Sequence, residues 1–216
     1  MRRVSPPTTS PSRAEHALAC HPAMPCAAVR SLRAAWHWRT QGGTPRLHLR
    51  YTLHADVQAL RLPDRRPPRF ADGLWRHTCF EAFVGAPGGS AYHEFNFAPS
   101  GEWAAYGFSA ERQRDAAADQ PLASLALAPL VLQDGSVLTL DVGLPLAALP
   151  AGAPDAPWPL GLTAVIEAQD GHLSYWALHH PAAQPDFHHR GGWTARVPAP
   201  HTLPESARRR PACAPR

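Results

Sequence analysis

The sequence predicts an all-β fold, a two-layer antiparallel β-sandwich, and two observations support this prediction. Apolar and polar residues alternate in short runs, and turn-forming residues separate one run from the next. Such alternation is typical of antiparallel strands that bury one face and expose the other. Many short strands divided by frequent turns indicate a sandwich or a barrel. The length of 216 residues suits one domain of this kind with tails.

The alternation is clearest over residues 46–54, where Leu47, Leu49, Tyr51 and Leu53 all fall on one face. We therefore expect a half-buried strand here. Similar runs predict further strands at 28–38, 57–62, 75–84, 91–98, 102–109, 124–132, 136–142, 160–168, 173–179 and 192–197. The residues expected in the core are Leu47, Leu49, Tyr51, Phe80, Phe95, Phe97 and Leu140.

The expected organisation is one domain between two tails. Residues 1–15 and 199–216 are rich in Pro, Arg and Ser with little apolar surface to bury, which predicts disordered tails, the second of them basic. The predicted β-sandwich domain is 16–198. Within it, helices are expected only at 111–120 and 144–149, and the second, with Pro145 and Pro150 at its edges, is expected to be one turn at most.

Charge and hydropathy exclude two classes of partner. The first fifty residues carry eight arginines against one glutamate, so the overall charge of +4 belongs to the ends of the chain and the middle is acidic. The middle therefore lacks the continuous basic face of a nucleic-acid reader, and no nucleic-acid partner is expected. No stretch approaches the ~18 apolar residues of a membrane helix, and the N-terminus lacks the apolar segment of a signal peptide. We expect a cytoplasmic protein without a membrane partner.

Cofactor sites are not indicated by the sequence. Four cysteines, Cys20, Cys26, Cys79 and Cys213, are too few and too scattered for a disulfide framework. No glycine-rich phosphate loop is present, so no nucleotide cofactor is expected.

The histidine pairs at 179–180 and 188–189, on either side of Asp186, could contribute to an open metal site. Against this, adjacent histidines on a strand point to opposite faces, and no spacing puts two ligands on one side. We expect no metal, although the sequence leaves open whether His179, His180, His188 and His189 bind one.

Two segments carry the most distinctive patterns. Residues 74–83 read LWRHTCFEAF, and residues 92–106 read YHEFNFAPSGEWAAY. If the phenylalanines of both segments point into the core, the alternation puts Glu81, Glu94 and Asn96 together on the outer, solvent-facing side of one sheet.

These segments, together with SYWALHHP at 174–181 and PDFH at 185–188, resemble bacterial DOMON-like domain proteins, which are related to family 9 carbohydrate-binding modules. The resemblance spans about residues 16–198. It implies a curved two-sheet β-sandwich, and relatives of this kind hold sugars or haem. Haem ligation by Met and His is not expected here, because the only methionines are Met1 and Met24.

The candidate ligand-binding residues form a polar group and an aromatic group. Carboxylates and amides bond the hydroxyls of a sugar, which favours Glu81, Glu94 and Asn96, with Arg76, His77 and Tyr92 near the rim. The alternative is a set of surface ion pairs that contribute little.

Trp75, Trp103 and Trp176 are candidate platforms for a sugar ring, and the alternative for each is a place in the core. Trp75 follows the turn Asp72-Gly73 and is the best candidate for a platform carried by a loop.

Three functional hypotheses remain open at this point. The first is a non-catalytic binding module for a saccharide-like small molecule. The second is an enzyme of sugar or cell-envelope metabolism that uses Glu81 and Glu94 as acid and base, which requires burial to separate their pKa values. The third is a protein-interaction domain without a small ligand, which a flat apolar patch would favour.

Overall fold

The structure is a computed structural model that describes residues 14–153 and 155–200. Its strands are β1 (His16–Cys20), β2 (Val29–Gln41), β3 (Thr44–Ala55), β4 (Cys79–Gly85), β5 (Tyr92–Phe97), β6 (Trp103–Ala110), β7 (Gln113–Arg114), β8 (Leu130–Asp134), β9 (Val137–Pro145), β10 (Trp158–Glu167), β11 (Leu173–Ala177) and β12 (Ala195–Val197). The helices are α1 (Ala116–Ala123) and short 3-10 turns at Val57–Ala59, Leu74–Arg76, Leu146–Ala148 and Arg190–Gly192. The prediction of an all-β fold is confirmed.

All the strands belong to one sheet, in the order β7-β6-β5-β4-β10-β11-β1-β2-β3-β9-β8, with β12 also paired to β10. Strand β1 joins the two halves, because residues 16–18 pair with β2 whereas Ala19 and Cys20 pair with β11. We name each half of this continuous sheet separately. The site sheet consists of β4, β5, β6, β7, β10, β11 and β12, and the back sheet consists of β2, β3, β8 and β9.

The two sheets face each other across one apolar core. The rings of Tyr51 on β3 and Phe80 on β4 lie 5.2 Å apart, and those of Trp38 and Trp158 lie 6.1 Å apart. Burial of this apolar surface is the main favourable term for folding. The predicted core residues are confirmed as buried: Leu47, Leu49, Tyr51, Phe80, Phe95, Phe97 and Leu140.

The long hairpin of β2 and β3 is closed by Gly42 and Gly43, both of which have positive φ (57° and 79°). A two-residue turn with positive φ at both positions matches the twist of an antiparallel hairpin, and glycine adopts it without strain. This turn fixes the register from Gln41 opposite Thr44 to Ser31 opposite His54, beyond which the register shifts by one residue.

Several element predictions are wrong in position. Residues 57–62 were expected to form a strand, but the Asp56 carboxylate accepts from Gln58 N and caps a 3-10 turn instead; only Leu60 bridges to the sheet. The helix expected at 111–120 begins later, because Asp115 caps it by accepting from the amides of residues 117 and 118.

Other boundaries differ as well. The strand expected at 75–84 begins only at Cys79, and the strand at 124–132 begins at Leu130. The short helix expected at 144–149 is a single 3-10 turn, as predicted. Strand β1 was not predicted.

Most of the predicted tails, residues 1–13 and 201–216, lie outside the described residues. Ala199, one residue past the expected boundary at 198, is buried. Within the described residues, no helix has the length and apolar character needed to cross a membrane.

Candidate functional site

A cavity of about 540 Å³ opens on the outer face of the site sheet. This face lies opposite the core, because Glu81 and Phe83 alternate along β4 with the core residues Phe80 and Ala82. The cavity therefore uses the second side of the same strands that build the sandwich.

The strand register brings the floor of the cavity together. Glu81 on β4 lies opposite Asn96 on β5, and Glu94 lies between Phe83 on β4 and Tyr106 on β6. Two carboxyl groups from neighbouring strands thus share one surface.

Aromatic side chains form much of the wall. The 3-10 turn at Leu74–Arg76 brings Trp75 to the rim, where 48% of this residue is exposed. The aromatic residues that line the cavity are Trp75, Phe83, Tyr106, Phe108, Tyr175 and Phe187.

The segment that carries Phe187 and His188 is fixed over the sheet by Trp193. The Trp193 ring stacks on Phe83 with centroids 5.9 Å apart, and its indole N–H donates to the Phe187 carbonyl at 2.9 Å. Gly161 makes this packing possible, because a Cβ there would lie 2.3 Å from Trp193 Cδ1.

Two of the three arginines that line the cavity are paired with aspartates. Arg112 donates to Asp186 at 2.7 Å, and Arg114 donates to Asp119 at 2.8 Å. The guanidinium of Arg114 also lies 4.0 Å from the centre of the Tyr106 ring, a cation–π contact.

The carboxyl group of Glu94 is held largely away from water. Burial raises its pKa to about 7, although a hydrogen bond from Asn96 Nδ2 at 2.8 Å and the charges of Arg114 and Arg112 act in the opposite direction. Glu94 is therefore poised between its neutral and charged forms near neutral pH.

Glu81 lies deeper in the floor. Burial raises its pKa well above the ordinary value, the neighbouring Glu94 raises it further, and Thr163 partly opposes this. Glu81 Oε1, Asn96 Oδ1 and Thr163 Oγ1 make no well-aligned hydrogen bond with the protein. The three residues lie side by side on neighbouring strands, Asn96 on β5, Glu81 on β4 and Thr163 on β10.

His188 closes one side of the floor. Burial and the charge of Arg112 lower its pKa to about 4, so the ring is neutral at pH 7. The Tyr92 oxygen accepts from Arg112 N at 3.1 Å and lies 2.7 Å from His188 Nδ1, an arrangement that favours donation by its hydroxyl to the ring. His188 Nε2 then carries the proton and faces Glu94 Oε2 at 3.8 Å.

Of the residues selected from the sequence, Trp75, Arg76, Glu81 and Glu94 line the cavity. Tyr92 and Asn96 are buried behind its surface and contact it through His188 and Glu94. The expectation of a solvent-facing polar cluster is wrong, because Glu81, Glu94 and Asn96 are all buried. The loop segments that cover the outer face have no periodicity in the sequence from which this cover could be predicted.

Three selected residues lie elsewhere. His77 precedes β4, and its Nδ1 lies 2.7 Å from Glu167 Oε2. Trp103 and Trp176 are only 3% and 7% exposed and belong to the sandwich core. Their side chains follow the core-facing alternation of β6 and β11, which separates them from the cavity.

Other lining residues were missed. Phe83 shares its side of β4 with Glu81, and Tyr106 shares its side of the sheet with Glu94, so the alternation could have found both. Arg112, Arg114 and Tyr175 carried no comparable signal in the sequence.

Metal-ligating side chains do not gather in the part of the chain that the structure describes: no group of three or more His, Cys, Asp or Glu residues could hold an ion there. The histidines considered earlier are divided among separate contacts. His180 Nε2 lies 2.9 Å from the Ala19 carbonyl oxygen, His188 contacts Tyr92, and His189 accepts from Gly191 N.

No protein-family model matches the chain, and no curated protein sequence does either. A solved structure from Bacteroides uniformis ATCC 8492, named "putative carbohydrate-binding protein", is similar in fold, with a TM-score of 0.57. The two proteins share 14% sequence identity, and the match covers 86% of each chain. At this identity the likeness establishes that the chain has the same kind of fold.

Proposed function

We propose that this protein is a non-catalytic binding module for a small saccharide, held in the cavity of the site sheet. The observation that carries the proposal is an aromatic-walled cavity whose floor holds two buried carboxyl groups, those of Glu81 and Glu94. The volume of about 540 Å³ falls in the range of ~300–1,000 Å³ that is common for small-molecule sites.

The chemistry of the cavity suits a sugar. Aromatic rings such as Trp75 offer a flat apolar surface for the face of a pyranose. A sugar hydroxyl can both donate to the carboxyl groups of Glu81 and Glu94 and accept from their protonated forms.

The similarity in fold to the Bacteroides uniformis protein agrees with this proposal. The more specific proposal is that the chain is a DOMON-like domain related to family 9 carbohydrate-binding modules and works in the cytoplasm. The cavity, rather than the fold, is the basis for the functional assignment, because one fold supports many functions.

A thermal-shift screen followed by calorimetry tests the proposal. The probes are glucose, galactose and mannose together with the corresponding hexosamines. We expect at least one to raise the melting temperature, because a ligand that binds only the folded state stabilises it. Trp75→Ala should weaken binding by about tenfold, equivalent to ~1.4 kcal/mol.

Phe70→Ala is the matched control for that variant. Phe70 is another partly exposed aromatic residue, which packs against Trp103 and does not line the cavity. Equal affinity in wild type, Trp75→Ala and Phe70→Ala would exclude the cavity as the binding site. If none of the sugars raised the melting temperature, the proposal would be overturned.

A second candidate is an enzyme that uses Glu81 and Glu94 as acid and base. It is favoured by the position of both carboxyl groups in one cavity and by the burial that raises both pKa values. The test is release of nitrophenol from nitrophenyl glycosides. Release that disappears in Glu94→Gln would favour the enzyme, whereas no release above the uncatalysed rate would favour the binding module.

A further inference from the structure

Among the described residues, no arginine forms an ion pair with the acidic groups in the floor of the cavity. Glu81 and Glu94 both line it, and both are buried. Two of the three arginines that line the cavity, Arg112 and Arg114, pair with aspartates, and the third, Arg76, is exposed and lies against the Trp75 ring. An uncompensated buried carboxylate is costly, because burial removes its hydration.

The groups around Glu94 come from several elements. On its own strand Asn96 donates to it, from β4 Glu81 is a second acid, and from the covering segment His188 is neutral at pH 7. Tyr106 faces it from β6, and this hydroxyl is also neutral because burial and Asp72 raise its pKa.

The arginine charges act on the floor from a distance. The side chains of Arg112 and Arg114 are about half exposed, at 58% and 48%, and each lies against its own aspartate. Water and salt screen exposed charges, whereas the two glutamates interact through the protein interior. The arginine charges are therefore screened more strongly than the interaction between the two acids.

We infer that the ligand of this cavity carries an ammonium group, as an amino sugar does, and that this group contacts Glu81 and Glu94; the inference rests on the proposed saccharide function. An ammonium group has three donors, and Glu94 and Glu81, whose Oε1 makes no well-aligned hydrogen bond, both line the cavity as acceptors. The aromatic walls also favour a cation, because the face of an aromatic ring attracts positive charge.

A proton is exchanged when such a ligand binds. In the free protein, burial keeps Glu94 partly protonated near pH 7. A bound ammonium group favours the carboxylate, so binding transfers a proton from Glu94 to the buffer. Affinity for an amino sugar should therefore increase from about pH 5.5 to about pH 7, whereas affinity for a neutral sugar should not.

Calorimetry on the full chain tests this inference with glucosamine, galactosamine, their neutral parents and their N-acetyl forms. Titrations in two buffers of different ionisation enthalpy give the number of protons released. We expect a hexosamine to bind at least about tenfold more tightly than its neutral parent and its N-acetyl form, with proton release. Glu81→Gln and Glu94→Gln should each reduce that preference by about tenfold while retaining weak binding of the neutral parent.

Asp141→Asn is the control, because it removes one carboxylate from an exposed pair with Arg50 on the back sheet. It should leave the preference unchanged. Tighter binding of a neutral or N-acetyl sugar that depends on Trp75 would overturn the ammonium inference and leave the saccharide proposal standing. The absence of binding by all six sugars would overturn both, and an equal loss of preference in Asp141→Asn would show that only net charge matters.

Discussion

The hydroxyl of Tyr51 on the back sheet donates a hydrogen bond of 2.6 Å to the backbone carbonyl of Glu81 on the site sheet. This bond crosses the core and ends on the residue whose side chain forms the cavity floor. Tyr51 is fully buried, and burial raises the pKa of its hydroxyl, which therefore remains a donor across the physiological range. The sandwich core and the cavity are thus joined at Glu81.

Tyr51→Phe should remove this link while keeping the ring in the core. We expect a loss of ~1 kcal/mol in the free energy of unfolding, the usual net value of a hydrogen bond. Urea denaturation of wild type and variant measures the difference. A variant as stable as wild type would mean that the bond contributes nothing to the packing of the two sheets.

Glu94→Gln should change how stability depends on pH. The pKa of Glu94 is raised from 4.5 to about 7 on folding, so between these values the folded state holds a proton that the unfolded state releases. The protonated Glu94 side chain therefore contributes to the free energy of unfolding below the unfolded pKa of 4.5, and this contribution is lost as pH rises through about 7. The raised pKa of Glu81 acts with the same sign.

The glutamine cannot ionise, so the variant should be more stable than wild type near pH 8 and should show a flatter profile from about pH 5 to about pH 8. The difference should reach a few kcal/mol, because each tenfold change in proton affinity is worth ~1.4 kcal/mol. Melting curves across this range provide the measurement. Parallel profiles for the two proteins would contradict the burial of an uncompensated carboxyl group.

Gly161→Ala should disturb the cavity wall. The added Cβ would overlap the Trp193 ring, which stacks on Phe83 and binds the Phe187 carbonyl. We expect destabilisation by ~1–3 kcal/mol, as for other overpacked sites, together with a change in tryptophan fluorescence. Gly89→Ala is the control, because its Cβ would meet Ala86 at an ordinary 3.5 Å. Equal stability of the two variants would exclude the tight contact.

Phe95→Ala tests the core side of the strand that carries Glu94. Phe95 is fully buried in the sandwich core, so its truncation should cost ~3–5 kcal/mol. Phe70→Ala, at a residue that is 38% exposed, should cost clearly less. Denaturant titration compares them, and a small effect at Phe95 would contradict the assignment of the two faces of β5.

The sequence could predict which residues lie on each face of a strand, but not which loop segments pack over the outer face of the sheet. Alternation along β4 and β5 correctly separated Phe80, Phe95 and Phe97 from Glu81 and Glu94, because period two is a local property of a strand. The order of strands in the sheet depends on pairings between distant segments, which local patterns do not specify.

The cavity itself depends on side chains that reach over the sheet from irregular segments. Phe187 and His188 come from such a segment, and Trp193 holds it through packing on Phe83. Because the sequence does not show that this segment packs over the sheet, it predicts that Glu81 and Glu94 are exposed to solvent. The same limitation left Trp103 and Trp176 as candidates until their burial in the core was known.

The most direct test of the central claim uses the indole N–H signals of nitrogen-15-labelled protein during titration with glucosamine, with each signal assigned through its Trp→Phe variant. Trp75 lines the cavity, whereas Trp103 and Trp176 lie in the core. The account predicts that the Trp75 signal shifts in a saturable manner while those of Trp103 and Trp176 change little. Shifts at Trp103 or Trp176 with an unmoved Trp75 signal would contradict binding in this cavity.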